Sequence, residues 1–185
     1  VLVDQRVAVG FGRIGGELQA QGVYDTTLIA VIGDNGYFQA DRGLADKWYP
    51  YEESIRVPLV VRDPRLAPAR RGVTRGQFAL NLDVAPTLVA AAGLAVPGVM
   101  QGRDLSPLYL SARAPDWRDE FFYEHPTVTS RNRIPSSQAV VGRDWKYVEG
   151  PEFGFRQLFD LRGDPGELRN LAEELRIASP ETVLV

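Results

Sequence analysis

The sequence has no cysteine, one histidine and one methionine in 185 residues. Without cysteine there are no disulfides, no thiolate metal sites and no cysteine nucleophile. A single histidine excludes a histidine-rich zinc site. No apolar run approaches the ~18 residues of a transmembrane helix, so no membrane span is expected. No basic segment followed by an apolar one opens the chain, and no secretory leader is expected in these residues. An excess of one charge is also missing. Lys and Arg number 21 against 24 Asp and Glu, interspersed, for a net charge of −3. That leaves no basic stripe for nucleic acid. What is present is 44% hydrophobic, 24% charged and 10% aromatic residues. This composition supports a packed core and argues against disorder. The first residue is Val1 rather than methionine, and the chain is expected to be part of something longer.

Residues 3–21 read as a helix, with Val7, Phe11, Ile14 and Leu18 on one face and Gly22 as its C-cap. Residues 27–32, Thr-Leu-Ile-Ala-Val-Ile, read as a strand buried on both faces, as in a parallel sheet covered by helices. A second buried strand is expected at 57–61. Asp83 is the expected N-cap of a helix over 84–92, with Pro86 in its first turn. A helical turn follows at 105–110, and a boundary is expected near 111–118. Beyond it, strands are expected at 120–124, 139–148 and 157–161. Trp145 and Tyr147 alternate with charged residues, which predicts a core position for the aromatics in a sheet with one wet face. Asp164-Pro165-Gly166 predicts a turn, and 167–176 a terminal helix. The expected division is 1–115, an α/β part, and 116–185, a small antiparallel-sheet subdomain.

Three constellations could carry chemistry. Gly33-Asp34-Asn35-Gly36 ends the strand at 27–32, the edge where open α/β sheets bind ligands. A carboxylate beside an amide carbonyl offers hard oxygen ligands for Ca²⁺ or Mg²⁺; an Asx turn is the plainer alternative. Lys47 lies on the connection leaving that edge. It could neutralise an anionic group, or simply pair with Asp46 or Glu52. The acids Glu52-Glu53 read as a helix start paired with Arg56 rather than a carboxylate pair for glycoside chemistry. His125 alone reads as structural.

Taken in order, these segments resemble the sulfatase family, of arylsulfatase type, within the alkaline-phosphatase-like superfamily. The strand ending in Asp34-Asn35 is similar to the family's late metal-ligand pair. Asp46-Lys47 followed by Tyr51-Glu52-Glu53-Ser54-Ile55-Arg56 resembles its lysine segment. Asp83-Val84-Ala85-Pro86-Thr87-Leu88 and the loop Gly102-Arg103-Asp104-Leu105 resemble its next two motifs. Trp145-Lys146-Tyr147, Leu158-Phe159-Asp160-Leu161 and Asp164-Pro165-Gly166-Glu167 resemble its C-terminal signature. The resemblance implies the C-terminal part of an α/β/α sandwich followed by an antiparallel-sheet subdomain. It implies sulfate-ester hydrolysis by a formylglycine nucleophile with one divalent cation, usually Ca²⁺. Asp34 and Asn35 would be metal ligands. Lys47 would be catalytic, contacting the sulfate.

The departures matter equally. The nucleophile motif, Cys or Ser followed by x-Pro-x-Arg, occurs nowhere in the sequence. The early Asp pair and the active-site histidines of the family are also missing. The chain alone is therefore expected to be inactive. Arg42 stands where many relatives carry histidine, which places it with substrate. The expected substrate is a small-molecule or carbohydrate sulfate ester. Two alternatives stand beside it: a non-catalytic sulfatase-like module, and a phosphonate or phosphate ester hydrolase of the same superfamily. An open sheet edge predicts oligomerisation. The compartment is open: relatives include secreted and periplasmic enzymes.

Overall fold

The computed structural model describes residues 5–113, 115–128, 130 and 134–175, with side chains from residue 12 onward. The elements, in chain order, are α1 Gln5–Ala20, β1 Ile29–Ile32, β2 Phe38–Gln39, β3 Ala45–Asp46, α2 Glu52–Ile55 and β4 Leu59–Arg62. They continue with α3 Val84–Ala91, α4 Ser106–Leu110, β5 Glu120–His125, β6 Ser137–Gly142, β7 Trp145–Gly150 and β8 Phe155–Asp160. The chain forms two compact units, one of Val1–Asp34 with Val57–Trp117 and one of Asn35–Arg56 with Arg118–Val185. The segment 35–56, expected with the α/β part, thus belongs to the unit that holds the four-stranded sheet.

In the first unit, α1 ends at Gly22, whose φ of 69° is the left-handed cap expected of it. Ile14 on the predicted helix face is exposed; the side chains of Val7 and Phe11 lie outside those described. The strand expected in a parallel sheet instead pairs antiparallel with β4, Ile29 opposite Arg62 and Ile32 opposite Leu59. Its residues are half-buried rather than buried. A run of apolar residues reports burial, and carries no signal of strand direction. Arg62 anchors the start of β1: it donates to the Thr27 carbonyl at 2.8 Å and stacks 3.7 Å over the Tyr24 ring. Ala30, Leu59 and Val61 line a small apolar hollow with Val84, Leu88 and Leu105.

Asp83 stands at the expected N-cap position of α3, but its side chain makes no capping bond to that helix. Its carboxylate accepts from the Leu80 amide at 2.8 Å and the Arg103 amide at 2.8 Å. The Thr87 hydroxyl donates to the Asp83 carbonyl at 2.6 Å and accepts from the Leu105 amide at 2.9 Å. Asp83 and Thr87 are both buried. The Asp-x-x-Pro-Thr motif therefore ties the helix to the loop at 102–105. Gly102 completes the tie: a Cβ there would lie 2.0 Å from the Leu82 carbonyl oxygen.

The second unit contains an antiparallel sheet in the order β5-β6-β7-β8. The single strand expected over 139–148 is two, joined at Arg143-Asp144. Ala139, Val141, Val148 and Phe159 form the core, with Tyr51, Ile55, Phe121, Tyr123, Phe155 and Leu161 packed on it. Tyr51 and Ile55 explain why 35–56 belongs to this unit. The expected facing of β7 is reversed. Trp145 is 48% exposed and Lys146 is 0% exposed. Register decides it, because Lys146 stands between Val141 and Phe159 on the inner face. Residues 167–175 form turns and extended chain rather than the expected helix; residue 176 lies outside the described residues. Glu167 has a φ of 51°, incompatible with a helix start.

Candidate functional site

Asp34 follows β1 in the first unit. Its carbonyl oxygen accepts from the Asn81 side-chain amide at 2.9 Å. Its side chain is exposed. Asn81 was not singled out by the sequence reading, although it stands two residues before the Asp83 motif.

Asn35 and Lys47 are brought together within the second unit. The Lys47 ammonium donates to Asn35 Oδ1 at 2.8 Å. The Asn35 side-chain NH2 donates to the Gly36 carbonyl at 2.6 Å, which sets the orientation of the amide. The Gly36 amide donates to the Ser54 carbonyl in α2 at 2.7 Å. A Cβ on Gly36 would meet the Glu53 carbonyl oxygen at 2.1 Å. This glycine is required by close approach of two backbones rather than by an unusual φ.

The segment bearing Lys47 is held in a costly conformation. Ala40, Arg42, Asp46 and Trp48 all have positive φ, of 75°, 56°, 75° and 85°. For residues other than glycine each such turn costs of order 1–3 kcal/mol and persists only where surroundings enforce it. The enforcement is visible. Phe38, fully buried, meets Tyr49 and Tyr51 edge-on at 6.4 and 6.3 Å. Tyr51 meets Phe159 at 6.1 Å and donates to Gln157 Oε1 at 2.9 Å. Burial pushes the Tyr51 phenol above its usual range, so it remains a neutral donor.

Arg42, expected with substrate, has its guanidinium committed elsewhere. It pairs with Glu53 at 3.2 Å, donates to the Glu167 carbonyl at 2.6 Å and to the Gly166 carbonyl, and covers the Tyr51 ring at 4.4 Å. Beneath it, Lys146 lies 2.5 Å from Glu167 Oε1 and donates to Glu52 Oε1 at 2.9 Å. The 2.5 Å approach is a charge contact rather than an aligned hydrogen bond. The Glu52 amide donates to Glu167 Oε2 at 2.9 Å. The sequence reading quoted both Lys146 and Glu167 as motif members and assigned neither a task. The available signal was a lysine in the inward slot of a strand, in a sequence whose two lysines are Lys47 and Lys146.

Asp34 and Asn35 supply one carboxylate and one amide oxygen, donors of the right kind for a hard cation and too few for the 6–8 that Ca²⁺ takes. Among the described residues no cluster of three or more His, Asp or Glu side chains could hold a metal. The Asn35 oxygen has two lone pairs, so acceptance from Lys47 leaves one for a cation.

The family model for the C-terminal region of N-sulphoglucosamine sulphohydrolase matches residues 40–183. The chain belongs to the sulfatase family. It is 29% identical to the N-acetylglucosamine-6-O-sulfatase of Bacteroides thetaiotaomicron, over 99% of this chain and 32% of that protein. It is 33% identical to the choline-sulfatase of Rhizobium meliloti, over 94% of this chain and 32% of that one. This sulfatase chain thus spans about a third of the length of the curated relatives it matches. A protein solved in complex with its substrate D-glucosamine-2-N,6-O-disulfate superposes with a TM-score of 0.82 and 30% identity, covering 94% of this chain and 35% of that one. The phosphonate monoester hydrolase of Agrobacterium radiobacter gives 0.76 and 28%, covering 94% and 37%. The fold is the C-terminal part of the alkaline-phosphatase-like α/β architecture, as the motifs implied. Among the described residues no helix is long and apolar enough to cross a membrane.

Proposed function

We propose that this chain is the later part of a sulfatase that hydrolyses carbohydrate sulfate esters. The observation that carries the reading is the Lys47 ammonium set 2.8 Å from Asn35 Oδ1, within the motif order of the family. Asp34 and Asn35 would hold a divalent cation, Ca²⁺ by family, together with ligands supplied from outside this chain. When bound, that ion supplies polarisation of a sulfate oxygen. Lys47 supplies a compact, mobile point charge. It balances the anionic ester on binding and the charge that collects on the leaving-group oxygen as the S–O bond breaks. A cation held by Asp34 and Asn35 would add positive charge near the Lys47 ammonium, and an anionic sulfate would offset the repulsion between them. The chain carries no formylglycine precursor motif, so on this reading the nucleophile would be supplied from outside these residues, and they would not turn over ester by themselves.

The test is turnover by the reading frame that contains this chain, with N-acetylglucosamine 6-sulfate and p-nitrophenyl sulfate as probes and Ca²⁺ present. Lys47→Ala is expected to cut kcat about 10²–10³-fold with metal content unchanged. Asp34→Ala is expected to lower metal content and turnover together. Normal turnover in the Lys47 variant rejects the assignment. The likeness to a phosphonate monoester hydrolase supports a second reading, which faster turnover of a phosphonate monoester than of either sulfate would favour.

A further inference from the structure

Two motifs, Trp145-Lys146-Tyr147 and Asp164-Pro165-Gly166-Glu167, have no part in the proposed chemistry, yet their charged residues meet each other in the interior of the second unit. Lys146 and Glu167 have fully buried side chains 2.5 Å apart. Glu167 is the hub. One carboxylate oxygen meets Lys146 and the other accepts the Glu52 amide at the start of α2, while its backbone carbonyl accepts from Arg42. Lys146 also takes the Glu52 carboxylate, and Arg42 takes Glu53. Arms from Glu167 and Lys146 thus reach the segment 42–53 at Arg42 and Glu52.

From α2 the path continues by backbone. The Ser54 carbonyl fixes the Gly36 amide, Gly36 neighbours Asn35, and Asn35 holds Lys47. Arg42 lies inside the stretch with four left-handed residues that carries Lys47. Such a stretch needs an external restraint, and Arg42, bridging Tyr51, Glu53 and 166–167, adds one to that of the Phe38–Tyr49–Tyr51 cluster. We infer that Glu167, Lys146 and Arg42 are positioning residues that set the Asn35–Lys47 contact. The C-terminal sheet thereby takes part in the site rather than only following it. This rests on the reading of Lys47 as the charge that meets the sulfate.

The chain's two lysines give a direct readout. Lysine-selective 15N labelling yields Nζ resonances for Lys47 and Lys146, each assigned by its loss in Lys47→Arg or Lys146→Arg. Asn35→Ala marks where a released Lys47 resonates. In Glu167→Gln, Lys47 is expected to move to that position and exchange with water about tenfold faster, while amides of β5–β8 stay protected. In Arg42→Gln the Lys47 resonance is expected to shift the same way and further than that of Lys146, which keeps Glu52 and Glu167 as partners although Arg42 also meets the Glu167 carboxylate at 3.4 Å. Arg42→Gln decides alone where Glu167→Gln unfolds the sheet. A Lys47 resonance that stays in place in Arg42→Gln, or one that shifts only with loss of sheet protection in both variants, overturns the inference. A Lys47→Ala enzyme with full turnover would remove the catalytic reading and leave the resonance result standing.

Discussion

The two units bury polar groups in different ways. In the first, Asp63, Asp83 and Thr87 are buried and serve backbone amides, a neighbouring arginine and, for Asp63, the neutral Tyr109 hydroxyl. Asp83 meets amides three and twenty residues away, and Asp63 meets Arg65 two residues away. In the second, Lys146 and Glu167 are buried and reach residues 94 and 115 positions distant. Local polar ties shape a loop and leave the apolar contacts to hold the layers. Distant charge pairs join separate parts of the chain, and they carry a desolvation cost that only intact geometry offsets. The second unit is accordingly the one with more to lose from a single change.

The largest effect should come from Lys146→Met. It leaves the Glu167 carboxylate buried without its cation and should cost about 3–5 kcal/mol, read by urea unfolding of β5–β8. Adding Glu167→Met should recover most of that loss, because the pair as a whole contributes little net stability. Unfolding of the first unit at the same denaturant concentration would break the comparison.

A smaller effect is expected in the first unit. Asp83→Ala strands the Leu80 and Arg103 amides, at a cost of about 2–3 kcal/mol. Exchange at those amides should rise while protection in β5–β8 is unchanged.

The smallest effect concerns acid. The Arg65 hydrogen bond holds the Asp63 carboxyl below its usual range, against an opposing push from burial, with the Tyr109 hydroxyl 3.0 Å away helping. A depressed value in the folded state means that the stabilisation is complete above the unfolded value of 3.8 and is lost as pH falls below it. Acid unfolding of the first unit should shift in Asp63→Asn, and that of the second should not.

Much of this was legible in residue patterns. The helix ending at Gly22, the strands near 29–32 and 59–62, and the antiparallel sheet all carry local signals of period and turn chemistry. Asn35 and Lys47 were singled out separately through motif order, one as a metal ligand and the other as a sulfate contact; nothing in twelve residues of spacing brings them within 2.8 Å. What escaped has one physical cause. Lys146 reads as a solvent-facing residue until Glu167 and Glu52 are known to meet it, and Trp145 reads as core until register turns it outward. The direction of β1 relative to β4 is likewise a tertiary fact. Asp83 looked like a cap because caps and loop ties use the same carboxylate.

The interrupted path of the chain has a consequence for inheritance. The sheet unit is encoded in two pieces, 35–56 and 118–185, with most of the other unit written between them. A genetic exchange at 117/118 would carry β5–β8 and Lys146 to a new host without Tyr51, Ile55 or Glu52. The recipient would have to supply a matching helix turn of its own, already in place upstream. The sheet is therefore poorly suited to travel as a cassette, since Lys146 and Glu167 both contact Glu52, more than ninety residues earlier.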